Sequence, residues 1–371
     1  MKPYIPNTLP INNLDYQLLF SLVGDANSEL ARYDGLLQGI PDPAVMLSPL
    51  TTREAVLSSK IEGTQASVDE VLEQEAGLFK SGEKYKDIQE ISNYRLALYQ
   101  AKAYLQDYPI RLSFIRELHK ILLSSVRGQD KKPGEFRLEQ NWIGKAGCAI
   151  ENASFVPPDP LHLMDFLQAW EKYLDYNDSN FLLQTAVVHG QFELMHPFMD
   201  GNGRIGRILI PLFLYQKKQL SQPMFYLSEY LEENRDEYYL RLKHISEYQD
   251  WNSWIAFFLK AVTNQSKENS HRVKNILALY ENMKSKIHDV THSQYSVYLL
   301  DAIFSKPIFM VNAISKQLHD AYHIHEKTVA GLLRQLKNAD ILVELQPGSG
   351  RRSAVFCFPD LINLAEGRNS L

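Results

Sequence analysis

The chain has 371 residues, a formal net charge of −5, and 45% hydrophobic and 22% charged residues. These proportions are typical of a globular protein, and the acidic balance argues against nucleic-acid binding over the whole surface. No apolar run approaches the roughly 18–20 residues that cross a bilayer, and the N-terminal residues lack the apolar core of a signal peptide. The two cysteines, Cys148 and Cys357, form no metal-binding pattern. We therefore expect a cytoplasmic protein without disulfides or membrane spans.

Apolar residues at helical spacing dominate the first 110 residues. They predict helices over residues 14–37, 68–79 and 88–105, with Gly24 as a point of interruption in the first. A helix capped by Ser113 follows over residues 113–123. This part of the chain is therefore predicted to be a helical region.

One further predicted helix, over residues 51–61, carries an unusual acid. Thr51 or Thr52 is suited to its N-cap, and Gly63 to a left-handed C-cap. Glu62 thus lies in the last turn, where the helix dipole disfavours a carboxylate. Either solvent stabilises this side chain or a cationic partner lies elsewhere in the chain.

The middle of the chain changes from helical to extended character. The segment 132–137 predicts a turn leading into an extended stretch, and apolar arms at 141–144 and 153–158 flank a loop with glycine and asparagine. Such a pattern predicts a β-hairpin. An amphipathic helix is then predicted over residues 161–176.

The most informative stretch joins two apolar helices. A helix is predicted over residues 181–195, Pro197 ends it, and a second apolar run begins at Arg204. Gly201 and Gly203 permit backbone conformations with positive φ. The unpaired N–H groups at the start of the second helix form an anion site, to which the helix dipole adds.

The polar residues of this stretch have complementary chemistry. Arg204 and Arg207 share one helix face, and guanidinium groups bind phosphate oxygens in pairs. Asp200 offers a hard oxygen ligand for Mg²⁺. His196 is a candidate general base, because the unperturbed pKa of a histidine side chain is roughly 6.5. The combination predicts nucleotidyl or phosphoryl transfer from a nucleoside triphosphate.

The sequence from His196 to Arg207, HPFMDGNGRIGR, matches the Fic signature HPFx[DE]GNGRxxR at every fixed position. The chain therefore resembles the Fic family. The resemblance implies a mainly α Fic-fold helical core with a β-hairpin flap. It also implies transfer of AMP from ATP to a Ser, Thr or Tyr hydroxyl of a protein, with release of pyrophosphate.

The resemblance also implies a role for each residue of the signature. His196 is the base and Asp200 binds Mg²⁺. The phosphates of ATP are held by Gly201, Asn202, Gly203, Arg204, Ile205, Gly206 and Arg207, the last at the γ-phosphate. Family analogy places Asn234 and Tyr238 near the adenine, while packing of the tyrosines in the core remains an alternative.

A second motif, Ser58 to Gly63, resembles the Fic inhibitory pattern [ST]xxxE[GN]. Because it precedes the signature, it implies the subclass with an N-terminal inhibitory helix. Glu62 would then pair with Arg207 and occupy the place of the γ-phosphate. A charge-assisted hydrogen bond of this kind contributes roughly 1.5–3 kcal/mol.

The resemblance further implies partners for the hairpin and for the Fic domain. The hairpin around Gly144–Phe155 corresponds to the family's flap, which would bind the target protein as an added strand. A homodimer is expected because family members often pair through the Fic domain.

The C-terminal part has a different pattern. Helical segments are predicted from 224 through 242 and over 251–283, and a polar link at 288–293 follows. Predicted helices at 295–304, 311–319 and 326–339, an extended piece at 306–310 and strands at 341–345 and 353–358 then resemble a winged helix. Basic residues suited to DNA phosphates are Lys327, Arg334, Lys337, Arg351 and Arg352. Protein docking is the alternative for such a module.

We thus predict three regions: 1–110 with the inhibitory helix at about 51–63, a Fic catalytic core at 111–287, and a winged-helix module at 293–371. The preferred function is a self-inhibited protein adenylyltransferase that uses ATP and Mg²⁺. Two alternatives stay open. One is an enzyme of the same fold that removes AMP or transfers another phosphate-containing group, and the other is a DNA-binding regulator that senses ATP.

Overall fold

The computed structural model describes residues 2–78, 83–124, 131–145, 147–350 and 352–367. It is mainly α-helical, as the sequence predicts. The first helices in chain order are α1 (Tyr16–Gln38), α2 (Pro43–Met46), α3 (Ser48–Ile61), α4 (Val68–Glu75), α5 (Glu83–Tyr104), α6 (Leu112–Leu122), α7 (Pro160–Asp175) and α8 (Phe181–Met195). Those that follow are α9 (Asn202–Gln216), α10 (Ser228–Glu233), α11 (Arg235–Tyr248), α12 (Trp251–Thr291), α13 (Ser296–Ser305), α14 (Val311–Tyr322), α15 (Glu326–Asn338) and α16 (Pro359–Glu366).

The chain divides into two compact units. Unit 1 comprises Met1–Gly35, Leu57–Gly63 and Ser92–Glu268, and unit 2 comprises Leu36–Val56, Thr64–Ile91 and Asn269–Leu371. The chain therefore crosses between units several times. The region boundaries drawn from the sequence remain predictions.

Two helices, α8 and α9, form the centre of unit 1. The side chain of Asn180 caps α8 by accepting hydrogen bonds from the amides of Leu182 and Leu183, at 2.8 and 3.3 Å. Nearly every residue of both helices is buried, because apolar residues occupy all sides of each. The loop that joins them, residues 196–201, is therefore held at both ends by a buried helix.

Two tryptophans on neighbouring helices donate hydrogen bonds to the backbone of α8. The indole of Trp170 on α7 donates to the carbonyl of Val188 at 3.0 Å, and that of Trp254 on α12 donates to Ala186 at 2.9 Å. Gly190 allows the second contact, because a Cβ at this position would lie 2.8 Å from Nε1 of Trp254. The lack of a side chain at residue 190 therefore sets how closely Trp254 approaches α8.

Unit 2 contains a three-stranded antiparallel sheet of order β1-β3-β2, with β1 (Ile308–Met310), β2 (Val343–Gln346) and β3 (Val355–Cys357). Cys357 pairs with Ile308 on one side and with Val343 on the other. Helices α14 and α15 pack against each other, and α4 lies on β1. The strands are shorter than predicted, and α16, which follows β3, was not predicted.

Several predicted helix ends were wrong. Helix α3 begins at Ser48, so Thr51 and Thr52 lie inside it and their hydroxyls donate to carbonyls one turn earlier. Pro49 in the first turn explains the earlier start, since proline is tolerated there. The N-cap of α6 is Arg111 and not Ser113.

Other differences concern continuity. Helix α1 runs through Gly24 without interruption, and residues 224–227 are not helical although a helical segment was predicted to begin there. Helix α12 extends to Thr291, so most of the predicted link at 288–293 is helical. Tertiary packing of long apolar faces outweighs these local signals.

Within the described residues, every helix is too short or too polar to cross a membrane.

We expect Gly190→Ala to destabilise unit 1 by about 1–3 kcal/mol, because the added methyl group would overlap the Trp254 indole. Thermal and urea denaturation would measure the change. Gly24→Ala is the matched control: nothing lies within 4 Å of a Cβ there, so it should be neutral or stabilise α1 by up to about 1 kcal/mol. Equal stability of the two variants would contradict this account.

Candidate active site

The loop between α8 and α9 has a tightly defined backbone. His196 adopts the left-handed conformation at φ +44, and Gly201 does so at φ +77. The side chain of Asn202 closes the loop, because its Oδ1 accepts from the Phe198 amide and its Nδ2 donates to the Phe198 carbonyl, both at 2.8 Å. Gly201, the N-cap of α9, has no side chain to cap the first turn. The start of α9 thus has no side-chain cap, an arrangement that favours an anion.

Arg207 is the central cation of the site. Its side chain is only 2% exposed. Its Nε donates to Ser58 Oγ at 2.8 Å, and one terminal nitrogen donates to the Ser58 carbonyl at 2.8 Å and to Glu62 Oε1 at 2.7 Å. The structure therefore brings Ser58, Glu62 and Arg207 together, in the pairing that the resemblance implied.

The pKa values of this pair reflect their contact. Burial alone would raise the pKa of Glu62, but the Arg207 charge and hydrogen bond outweigh it and hold the pKa below its usual range. Burial would lower the pKa of Arg207, and the Glu62 charge raises it instead. Both groups are therefore charged at neutral pH.

The Glu62 carboxylate lies directly over the start of α9. A Cβ added to Gly203 would be 2.1 Å from Glu62 Oε1 and 2.9 Å from an Arg207 nitrogen. Only glycine at residue 203 leaves room for this arrangement. The carboxylate thus lies beside the start of α9, where the helix dipole favours an anion, and it is bound by Arg207.

Two contacts that the sequence did not reveal hold the end of α3 in place. Arg235, at the start of α11, donates to the carbonyl of Ile61 at 2.6 Å. Lys60 forms an ion pair with Glu232 at 3.4 Å. Gly63, which follows the helix, has φ +101, a conformation that favours glycine.

His196 is half-buried beside this ion pair. Burial lowers its pKa to about 4, although the nearby Glu62 charge acts in the opposite direction. The imidazole is therefore neutral at pH 7, which is the form that can accept a proton.

Asp200 is suited to a magnesium ion bound together with phosphates. Its side chain is 37% exposed, and Oδ1 accepts from the Gly201 amide at 2.6 Å and lies 3.5 Å from Arg204. Within the described ranges, no group of three or more His, Cys, Asp or Glu side chains could hold a metal ion by itself. Mg²⁺ commonly binds to one or two carboxylates plus substrate phosphates, so a single oriented aspartate fits this ion.

A second row of buried titratable groups lies behind the loop and was missed in the sequence. His189 contacts the Gly206 carbonyl and the Tyr238 hydroxyl, each at 3.0 Å. Burial raises the pKa of Glu193 to about 8, against the effect of the Arg207 charge. A Cβ at Gly206 would be 2.0 Å from Glu193 Oε1. The helical spacing of residues 189 and 193 on an apolar helix was the available signal.

The remaining predicted site residues are less directly placed. Ile205 is fully buried among core residues. Tyr238 is also fully buried, stacks near His189 and packs against Trp254, while the amide of Asn234 donates to the Tyr230 carbonyl at 2.9 Å. Roles for Asn234 and Tyr238 at the adenine remain predictions.

The predicted hairpin at Gly144–Phe155 is minimal. Ile143 and Phe155 form one antiparallel bridge, with N–H to carbonyl distances of 2.9 and 3.1 Å. A short 3-10 helix, Ile150–Asn152, lies between the arms, and the Trp142 indole donates to the Cys148 carbonyl. Residue 146 lies outside the described residues.

Comparisons with known proteins agree with this architecture. A profile for the Fic/DOC family N-terminal region matches residues 20–103, and a Fic/DOC family profile matches residues 109–214. The chain is 32% identical over 183 residues to protein adenylyltransferase Fic of Drosophila grimshawi, covering 45% of this chain and 35% of that protein. It is 27% identical over 207 residues to a probable protein adenylyltransferase of Aquifex aeolicus, covering 54% and 57%.

Solved structures show the same fold. A Fic family protein from Desulfovibrio desulfuricans aligns with a TM-score of 0.58 and 19% identity, covering 96% of this chain and 98% of that one. A Fic domain containing signaling protein from Bacteroides thetaiotaomicron aligns with a TM-score of 0.54 and 19% identity, covering 68% and 96%. The architecture is thus that of the helical Fic fold. The chain belongs to the Fic/DOC family.

Glu193 predicts a pH dependence of stability. Because its pKa is raised to about 8 in the folded state, that state keeps a proton which the unfolded chain loses near pH 4.5. Because of Glu193, the free energy of unfolding should fall as the pH rises from 4.5 to about 8, by up to about 1.4 kcal/mol per pH unit. The stability of Glu193→Gln relative to the original chain should increase from pH 5 to 8, measured by urea denaturation.

Glu139→Gln, at an exposed residue, is the control, and it should show no such trend. A constant difference between Glu193→Gln and the original chain across this range would contradict a buried, protonated Glu193.

Proposed function

We propose that the chain is a protein adenylyltransferase that transfers AMP from ATP to a Ser, Thr or Tyr hydroxyl of a protein, and that Glu62 inhibits it. The observation that carries the proposal is the Glu62 carboxylate, seated over Gly203 and bonded to Arg207 at the start of α9. An anion thus lies where a helix start and a buried guanidinium favour phosphate. The names of the Drosophila and Aquifex relatives support this chemistry. The chain spans about a third to a little over half of the length of these relatives.

In the proposed reaction, the neutral His196 imidazole accepts the proton of the target hydroxyl. The hydroxyl oxygen forms a bond to the α-phosphorus, and the bond from that phosphorus to its bridging oxygen breaks. Pyrophosphate leaves with the electron pair. The proton held on His196 then passes to pyrophosphate or solvent. The burial that keeps His196 neutral keeps it available as the base at pH 7.

The phosphates would be held by the Gly201–Gly203 segment at the start of α9 and by Arg204, with Arg207 at the γ-phosphate. Asp200 would hold Mg²⁺, which when bound neutralises charge on the phosphates. Glu62 and a γ-phosphate would compete for Arg207, because both are anions that need the same guanidinium. ATP would therefore bind in a productive position only after Glu62 has moved away.

We expect Glu62→Gly to raise transfer about tenfold to a hundredfold, the equivalent of the 1.5–3 kcal/mol of a charge-assisted hydrogen bond. The measurement is incorporation of label into protein from ATP labelled at the α- or γ-phosphate, with Mg²⁺. Label from the α-phosphate alone, stronger in the variant, supports AMP transfer restrained by Glu62.

Glu233→Gly, at an exposed residue of α10, is the control and should not raise transfer. Label from the γ-phosphate would instead mean phosphoryl transfer. Unchanged or reduced transfer in Glu62→Gly would remove the inhibitory role. It would favour the alternative in which Glu62 positions a water that removes AMP.

We expect His196→Ala, made in the Glu62→Gly chain, to abolish transfer while ATP affinity changes less than about threefold. The base acts on the acceptor hydroxyl, and no phosphate contact is assigned to it. Calorimetric titration with Mg-ATP and the labelling assay separate the two effects. Transfer near that of the parent variant would exclude His196 as the base.

Further proposals concern partners and the second unit. The flap around Gly144–Phe155 would bind the target as an added strand, since Ile143 and Phe155 already pair their backbones. A homodimer remains a proposal from the family resemblance. We also propose that residues 293–371 form a winged helix, supported by the packed α14 and α15 followed by β2 and β3.

The DNA-binding alternative has mixed support in this module. Lys327, Arg334 and Arg352 are exposed. Lys337, however, forms an ion pair with Glu344, so its charge is already used within the module. Arg351 lies outside the described residues. A protein-docking role for the module is equally compatible with these side chains.

A further inference from the structure

The carbonyl groups of the loop between α8 and α9 accept hydrogen bonds from α6 and from residues 137–141. Five carbonyls between Met195 and Asp200 accept hydrogen bonds from His119, Arg137 or Asn141. The Arg137 guanidinium donates to Met195 (3.4 Å) and His196 (3.0 Å), and its backbone amide donates to Pro197 (2.9 Å). The side chains of Asn141 and His119 donate to Phe198 (3.0 Å) and Asp200 (2.9 Å). The turn at 132–137, which the proposed reaction does not use, thus meets the loop directly.

Arg137 makes the contacts nearest to the proposed base. Its guanidinium is buried, and its Nε donates to the carbonyl of His196. Another nitrogen donates to the Pro158 carbonyl at 2.5 Å and reaches Met195. Burial lowers the pKa of Arg137 to about 10, so it remains charged at neutral pH. A planar fork that binds several carbonyls at once holds the left-handed backbone of His196 in one place.

His119 acts in the same way at the other end of the loop. Its Nδ1 accepts from the Gly134 amide at 2.8 Å, so Nε2 carries the proton and donates to the Asp200 carbonyl. Its ring stacks on Phe198, with centroids 3.8 Å apart and planes 6° apart. Both ring nitrogens and the ring face are therefore used.

The bond from His119 orients a peptide group that also holds Asp200. Because a peptide group is planar, fixing the Asp200 carbonyl also fixes the Gly201 N–H on the opposite side. That N–H donates to Asp200 Oδ1 at 2.6 Å. His119 therefore sets the direction of the carboxylate through the backbone, without touching the carboxylate itself.

We propose that Arg137 and His119 are positioning residues with separate effects: Arg137 places the base His196, and His119 places Asp200 and the phosphate-binding start of α9. This inference rests on the proposed function. It assigns the acceptor side of the reaction to one residue and the nucleotide side to the other. If the two residues had only a structural role, both variants would contain less folded protein, and the two variants would show the same pattern of change in kcat and KM.

The test uses the full chain with Glu62→Gly, to which Arg137→Lys or His119→Phe is added. Lysine keeps the charge but loses the fork, and phenylalanine keeps the ring stacking but loses both hydrogen bonds. Arg111→Lys is the matched control, since its guanidinium pairs with Asp175 and with its neighbour Ile110. The readouts are kcat and KM for Mg-ATP in α-label transfer, and backbone hydrogen exchange of residues 196–206.

We expect Arg137→Lys to lower kcat at least tenfold with KM changed less than threefold, because displacement of about 1 Å costs up to about a hundredfold. His119→Phe should raise KM for Mg-ATP at least fivefold, with a smaller effect on kcat. Exchange in the loop should increase in both variants and stay unchanged in Arg111→Lys. The proposal would be overturned if both variants showed the same changes in kcat and KM. It would also be overturned if their kcat and KM equalled those of the control.

Failure of the proposed function has a different signature. If the Glu62→Gly parent transfers no α-label, the proposed function is wrong, and loop exchange and Mg-ATP affinity then judge the positioning roles. Unchanged exchange in both variants would overturn these roles independently. If Arg137→Lys does not fold, His119→Phe decides alone, and a fall in its kcat with unchanged KM would contradict the division.

Discussion

A buried guanidinium that requires an anion is the constraint on which the candidate site depends. Arg207 is almost completely enclosed, and an enclosed charge without partners is strongly destabilising. Ser58 and Glu62 supply oxygen atoms to it. A substrate phosphate could do so equally well, because it offers the same charge and acceptor geometry. The contact with Glu62 and the proposed binding of a phosphate are therefore two ways of satisfying one buried cation.

The proposed exchange of anions requires a surrounding backbone that is held in place. Helices α8 and α9 are buried on nearly all sides, and glycines at 201, 203 and 206 leave room for a left-handed turn and for two carboxylates. Carbonyls of the connecting loop accept hydrogen bonds from His119, Arg137 and Asn141. Rigid placement of a base, a carboxylate and open N–H groups is what transfer chemistry requires.

The sequence predicted much of this arrangement because its signals are local. The helix over Phe181–Met195, the break at Pro197 and the start of a second helix soon afterwards each follow from a few adjacent residues. The N-caps of α3 and α6 were predicted wrongly because capping residues are common and tertiary packing decides among them. Glu193 and His189 were missed because an apolar helix conceals polar residues whose partners lie on other helices.

By itself, the sequence determined the helical class, the family signature and the types of charged group available near residues 196–207. Only the tertiary structure decided which of these groups meet. It brought Glu62 to Arg207, 145 residues later in the chain. It also brought Arg137 and His119 to the carbonyls of the loop, and it buried Tyr238 against His189. The physical reason is that adjacent residues in the sequence fix side-chain type and spacing, whereas burial and pairing arise when distant segments pack together.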